Sequence, residues 1–178
     1  VDPRRTKLAE SASIHLQPRP GTDGALALGI AHIIIEEGLE DAEFLAEYAE
    51  GYDAYKAYVK EFTPERTSEI TGVPAALIVE AAKLYATSKP AQLAVSQEAL
   101  VQHSNGLQNH RAVILLAALT GNIDIAGGNR PFDHRLKGKS VAVPEGMSKP
   151  EMKPMGSEKF PLFENLYNEG QAMLLADY

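Results

Sequence analysis

Pro18-Arg19-Pro20-Gly21-Thr22-Asp23 runs straight into an apolar stretch, Ala25 to Glu37, and this junction decides how the chain is read. Leu26, Ile30, Ile33 and Ile34 recur at i, i+4, i+7 and i+8, which predicts a helix with a buried stripe, ended near Gly38. Gly21 lets the backbone come close to a ligand, and Thr22 or Asp23 can cap the helix. Upstream lies a second loop, Val1-Asp2-Pro3-Arg4-Arg5-Thr6. Each loop offers a carboxylate, a hydroxyl and backbone donors, the groups that hold a nucleotide. A guanine edge presents adjacent N–H donors that a carboxylate accepts, and phosphates favour the free N–H groups of a helix N-terminus. The same residues also suit ordinary loop chemistry, an Asp-Pro turn followed by an Asp-capped helix.

Helical periodicity continues outward from this junction. Asp41 is placed to cap a short helix through Phe44, Leu45 and Tyr48. Tyr52 to Phe62 reads as another, with Tyr55, Tyr58 and Val59 on one side as a packing face rather than a base-stacking platform. Thr63-Pro64-Glu65 puts Pro at a first helical position behind a Thr cap, and Val73-Pro74 opens a helix carrying Ile78, Val79, Ala82 and Tyr85, ended by Pro90. Gln92 to Ser96 reads as a short buried strand. Asn105 or Gly106 then opens a long helix through Val113, Leu116, Ala117 and Leu119 to Gly121. Helix–strand–helix order implies an α/β layer fold with a parallel sheet. One strand and a stub at Val1 cannot make a sheet. The expectation is therefore a helix-rich, three-layer nucleotide-binding domain fragment whose sheet lies partly outside this chain.

Composition narrows the function. With 178 residues and 44% hydrophobic content the chain can form one domain with a real core. A net charge of −7 argues against a general nucleic-acid surface, which needs a basic stripe. The absence of Cys removes disulfides, thiolate metal sites and Cys nucleophiles together. No stretch approaches the ~20 apolar residues of a membrane span, and the sequence carries no address that separates a cytoplasmic from an exported protein. Pro131 to Pro161, rich in Pro, Gly, Lys and Ser without periodicity, reads as a long surface connector.

Several motifs recur in an order that resembles one family. They include Asp2-Pro3-Arg4, Arg19-Pro20-Gly21-Thr22-Asp23-Gly24-Ala25-Leu26 and Ile34-Ile35-Glu36-Glu37-Gly38. Phe62-Thr63-Pro64-Glu65, Ile70-Thr71-Gly72-Val73 and Ala82-Lys83-Leu84-Tyr85-Ala86 follow. Gln102-His103-Ser104-Asn105-Gly106 and Leu119-Thr120-Gly121-Asn122-Ile123 complete the set. The chain so resembles the molybdopterin oxidoreductases of the dimethyl-sulfoxide-reductase type, over about residues 1 to 128. Gly156-Ser157-Glu158-Lys159-Phe160-Pro161-Leu162-Phe163 is similar to a connector in some members. Catalytic subunits of that family are several times longer. Val1, reading as the end of a buried strand, and the apolar close at Ala172 to Tyr178 thus imply an internal piece of one. The domains implied are residues 1–128, part of the α/β molybdopterin-guanine-dinucleotide-binding domain, then an irregular connector over 129–162 and the start of a further helix over 163–178.

The resemblance also implies a site. The loop from Asp2 to Thr6, Pro3 and Thr6 included, would contact the guanosine end of the cofactor, Asp2 accepting from the base or ribose and Arg4 or Arg5 near phosphate; the bland alternative is a turn with two solvated arginines. Gly21, Thr22 and Asp23 correspond to a second contact on the same nucleotide. Glu98 and Gln102 fall where the family has a loop reaching towards the pterin, although Ser96-Gln97-Glu98-Ala99-Leu100 replaces a Gly-containing segment there. A Glu beside an anionic cofactor is unfavourable unless protonated or paired. Gly127-Gly128 resembles the passage out of the domain, but Asn129-Arg130 departs from its usual continuation. His103 lies among polar neighbours with no second His at ligand spacing, which favours a structural role over zinc.

The implied cofactor is molybdopterin guanine dinucleotide with Mo or W, held as a bis-pterin. An iron–sulfur cluster would belong to the missing N-terminal part. The partners implied are the rest of the same polypeptide and an electron-transfer subunit. Two-electron redox or oxygen-atom transfer is the expected chemistry of the parent enzyme, and no catalytic residue or metal ligand is identified in this segment. A non-catalytic nucleotide-binding or protein-interaction α/β module is the alternative.

Overall fold

A computed structural model describes residues 1–95, 97–102 and 104–130, apart from the side chains of Gln97 and Glu98. They fall in a single unit, Val1–Pro131. Beyond its first two residues the connector expected over 129–162 lies outside the described residues, as do the 156–163 motif, the helix expected over 163–178, and His103.

Eight helices are described in chain order: α1 (Lys7–Ser11), α2 (Asp23–Glu36), α3 (Ala42–Tyr48), α4 (Tyr52–Val59), α5 (Pro64–Thr71), α6 (Ala75–Thr87), α7 (Gln97–Val101) and α8 (Gly106–Leu119). Helix α2 is the hub, packed against α4, α5, α6 and α8. Its predicted stripe is buried, and so are Gly24, Ala27, Gly29, Ala31 and Ile35, so it is apolar nearly all round, as a central helix must be. It ends in a Schellman motif: Gly38 takes φ +64°, its N–H bonds Ile35 O at 3.2 Å, and Leu39 N–H bonds Ile34 O at 2.9 Å. Gly29 sits against α5, where a Cβ would lie 2.8 Å from Thr67 Cβ, so glycine is what lets the two helices approach.

The local caps follow the sequence. Asp41 Oδ1 accepts from Phe44 N–H at 3.0 Å, and Thr63 Oγ1 accepts from Arg66 N–H at 3.3 Å, with Pro64 at the first helical position. Helix α4 stops at Val59, short of Phe62. Tyr58 is exposed, at 54%, while Val59 is buried, so the expected one-sided face divides. Positions 55 and 59 share a face, and 58 sits at its edge.

Helices α2 and α8 run parallel. At one end Gly24 abuts Asn109, where a Cβ on Gly24 would lie 3.2 Å from Asn109 Cα. At the other end Asp41 N–H bonds Leu119 O at 2.9 Å.

The expected strand at 92–96 is a correction. Among the described residues there is no strand, only an isolated parallel bridge between Ile123 and Asn129. Residues 91–95 keep the inside–outside alternation of a strand, with Leu93 and Val95 turned in and Gln92 and Ala94 exposed. Their hydrogen bonds go to side chains instead: Ala91 N–H to Asn122 Oδ1 at 3.0 Å, and both backbone groups of Leu93 to the Asn129 amide at 2.9 and 2.8 Å. A ladder needs a second backbone, and none is described beside this segment. The described fold is therefore helix-rich, and the parallel sheet is not seen in it. No single described helix is long and apolar enough to cross a membrane.

Candidate functional site

Two extended segments bring the sequence-predicted loops to the same end of the molecule. Asp2 N–H bonds Leu16 O at 3.1 Å, His15 Nε2 lies 2.8 Å from Asp2 O, and Gln17 Nε2 donates to Pro3 O at 3.3 Å. The register advances in step, so the segments run in the same direction. The loop from Pro3 to Thr6 and the loop from Pro18 to Thr22 thus leave from the same end.

In the first loop Asp2 Oδ1 accepts from Arg4 N–H at 2.8 Å, an Asx turn, with the Arg4 Nε 3.9 Å away. A carboxylate has about four lone-pair sites, so this leaves acceptor capacity for a ligand. Arg4 and Arg5 expose 83% and 75% of their side chains, which keeps both free to meet an anion; Arg5 pairs loosely with Glu10 at 3.5 Å. Thr6 is engaged: its Oγ1 accepts from Ala9 N–H at 3.2 Å as the cap of α1, a helix the sequence reading did not anticipate.

In the second loop Thr22 N–H bonds Arg19 O at 3.1 Å, with Pro20 and Gly21 at the central positions and Gly21 at φ +83°, the type II pattern. A Cβ on Gly21 would meet nothing within 4 Å, so this backbone borders open space. Thr22 does not cap α2. Its Oγ1 donates to Arg19 O at 2.7 Å, and Asp23 is the first helical residue. Arg19 fixes the loop from behind, its Nη1 donating to Glu69 O at 2.7 Å and Ile70 O at 3.0 Å at the C-terminus of α5. That role was hidden in the sequence, because nothing there says which helix end an arginine will reach.

The start of α8 lies beside the start of α2. Asn105 occupies its N-cap position without a side-chain cap bond, its amide donating instead to Asn109 Oδ1 at 3.1 Å. Asn109 Nδ2 donates to Gly21 O at 3.3 Å. Sequence reasoning took Asn105 only as a helix start and missed Asn109. Two parallel helices therefore present first turns without side-chain caps at one place, and their dipoles add there. Gln102, just ahead of α8, is exposed. Glu98 falls in α7, which the sequence reading took for a loop, and its side chain lies outside the described residues.

The other titratable groups serve the framework. Burial, then the hydrogen bond to Glu40, pushes the Tyr52 phenol up to about 12, so it stays a neutral donor; its Oη–Glu40 Oε1 distance is 3.1 Å. Lys89 holds the Asp41 carboxyl below its usual value at the opposite end of α2 and α8. Among the described residues no group of three His, Asp or Glu is placed to hold a metal ion.

This geometry can be set beside known proteins. The family model described as molybdopterin oxidoreductase matches residues 1–172. The chain belongs to the molybdopterin oxidoreductase family. It is 39% identical over 127 residues to the alpha subunit of an F420-dependent formate dehydrogenase of Methanocaldococcus jannaschii, covering 71% of this chain and 19% of that protein. It is 39% identical over 149 residues to the dimethyl sulfoxide reductase DmsA of Escherichia coli, covering 72% of this chain and 18% of the relative. Among solved structures, acetylene hydratase from Pelobacter acetylenicus superposes with a TM-score of 0.63 at 42% identity, over 67% of this chain and 16% of that one. The chain thus spans about a fifth of the length of the curated relatives it matches.

A family of this kind implies a molybdopterin cofactor, and the residues present fit part of one. An open glycine turn, adjoining first turns without side-chain caps and two exposed arginines suit an anionic, phosphate-bearing group.

Proposed function

We propose that this chain supplies part of the cradle for the guanine end of molybdopterin guanine dinucleotide in a molybdenum or tungsten oxidoreductase. The observation that carries the reading is the meeting of the α2 and α8 first turns beside two loops that leave parallel extended segments. In this arrangement Asp2 and Asp23 accept from the guanine edge or ribose. Gly21 lets the backbone approach, and the N–H groups at the start of α2 and α8 face phosphate. Arg4 and Arg5 add positive charge, Thr22 and Pro3 hold the turns, Thr6 anchors its loop through α1, and Gln102 reaches towards the pterin. Glu98 has the least favourable charge for this neighbourhood. The metal, when bound through its pterins, supplies the two-electron or oxygen-atom chemistry; the protein's part is to bind and orient.

The finer architecture belongs to the same proposal. Parallel α2 and α8 are what crossovers of a parallel sheet require. Residues 91–95 keep a strand's alternation. A cavity of about 290 Å³ lined by Val1, Leu16, Leu84, Tyr85 and Ala91 among others lies between them and the start of the chain. Further strands there would complete a three-layer α/β domain.

The names of the relatives carry formate, dimethyl sulfoxide and acetylene, so one cradle serves different substrates, and choice among them lies outside these loops. An iron–sulfur cluster and an electron-transfer subunit are proposed for the complete protein. Elemental analysis and acid release of GMP from the complete gene product test the reading. Molybdenum or tungsten together with GMP is expected. A purified, folded protein with neither would overturn it.

A further inference from the structure

We propose that Asn109 is a positioning residue that locks the Gly21 turn and the Asn105 turn to one another, fixing the spacing of the two halves of the cradle. The inference rests on the reading of those turns as cofactor loops and goes beyond it, because Asn109 itself faces no open space.

Asn109 lies in the second turn of α8 and is 1% exposed. A side chain at that depth between two apolar helices is usually aliphatic, since a buried amide costs free energy unless it is hydrogen-bonded. Two of its bonds join separate turns. Nδ2 donates to Gly21 O at 3.3 Å, eighty-eight residues away, and Oδ1 accepts from Asn105 Nδ2 at 3.1 Å. The acceptor at Gly21 is a carbonyl, so the nitrogen must face it, and the oxygen is then left to receive Asn105. The two ends of one amide therefore serve the two turns.

Two consequences follow for the site. With Gly21 O drawn inward onto Asn109, the Thr22–Asp23 side of the turn is set at the start of α2. Asn105 donates its amide to Asn109 and makes no side-chain cap bond at α8. Gly24 permits the arrangement: a Cβ there would come within 3.2 Å of both Cγ and Cα of Asn109, so glycine is what leaves the amide its place beside α2. Leu is the apolar side chain whose branching best matches Asn. The hydrogen bonds are what Leu lacks.

The test uses the complete gene product in three variants, with hydrogen exchange by mass spectrometry and GMP released by acid per chain. Asn109→Leu removes the bonds to Gly21 and Asn105 and should speed exchange in the peptides containing Gly21–Ala25 and Asn105–Leu107 together, with α5 and α6 little changed. Asn109→Asp keeps an acceptor for Asn105 but sets an oxygen against Gly21 O, so the Gly21 peptide should loosen more than the Asn105 peptide. It also serves if the Leu variant does not fold. Leu116→Ala, a cavity further along the same helix where Leu116 is 4% exposed, provides a destabilised control. The affinity for the guanine cofactor should fall roughly tenfold in Asn109→Leu, the order of one buried hydrogen bond. The Leu116→Ala control should retain GMP despite equal or greater loss of stability. Uniform loosening across the helices, or GMP loss that merely tracks stability in all variants, would overturn the lock. Both turns loosening with GMP unchanged would keep the lock and remove the cofactor reading on which its purpose rests.

Discussion

The Asn129 side chain pairs with Leu93 as a neighbouring strand would, its Oδ1 accepting from Leu93 N–H at 2.9 Å and its Nδ2 donating to Leu93 O at 2.8 Å. Ala91 and Asn122 repeat the theme one position earlier in the alternation, at 3.0 Å. Two asparagines from the turn after α8 thus stand in for a β-ladder and satisfy an extended segment that would otherwise carry unpaired backbone groups. Asn129→Leu should destabilise the protein by about 1–3 kcal/mol, since it leaves a half-buried donor and acceptor without partners. Asn129→Asp should also destabilise it, because it keeps the acceptor for Leu93 N–H but sets a carboxylate oxygen against Leu93 O. The shift of the denaturation midpoint in urea at constant slope measures both; equal, negligible shifts would show that the pairing is incidental.

A second prediction concerns acid. Asp41 joins the far ends of α2 and α8: its N–H bonds Leu119 O, its Oδ1 caps α3, and Oδ2 pairs with Lys89. The hydrogen bond from Lys89, followed by that from Phe44 N–H, lowers its pKa from 3.8. A carboxylate whose folded pKa is depressed contributes stability that is complete above its unfolded value and is lost as pH falls through the folded one. Asp41→Asn should therefore melt below the parent protein at pH 7, and the gap should close as pH drops below 3.8. A gap that stays constant with pH would remove the ion pair as its cause.

A third tests the close approach of α2 and α5. A methyl group at Gly29 would come within 2.8 Å of Thr67 Cβ and 2.6 Å of its Cγ2, on a residue that is fully buried. Gly29→Ala gains helix propensity yet should still lose roughly 1–3 kcal/mol through overpacking. Thr67→Ser in the same background should restore part of it by removing the Cγ2 contact. A more stable Gly29→Ala protein would mean that the helices simply shift apart.

These relations show where the sequence could be read and where it could not. Helices α2, α3, α5 and α8 carry their own instructions: an apolar repeat, a cap at Asp41 or Thr63, a glycine at Gly38, Gly72 or Gly121 with positive φ. Helices α1 and α7 have five residues each and too few apolar positions to show a period. The segment at 92–95 has a strand's pattern, but pairing is a property of two chains of backbone, and the partner it found is Asn129. At the site, the loop motifs were visible because their chemistry is local. Arg19 and Asn109 were not, because each acts on residues that the fold alone brings near: Glu69 and Ile70 for one, Gly21 for the other. Asn129 was noticed only as a departure from the family pattern, and it holds Leu93.

The most direct test of the cradle is the guanine content of the complete gene product after substitution at Asp2. Asp2→Asn keeps an acceptor for Arg4 N–H and so the turn, but removes the charge and half the acceptors that guanine N–H groups need. Asp2→Ala removes both. Loss of a carboxylate partner costs on the order of 1–3 kcal/mol in affinity, so GMP and metal per chain should fall in Asp2→Asn and further in Asp2→Ala, while Glu98→Gln stays near the parent value. Undiminished GMP in Asp2→Ala, or equal loss in Asp2→Ala and Glu98→Gln, would contradict the cradle as drawn.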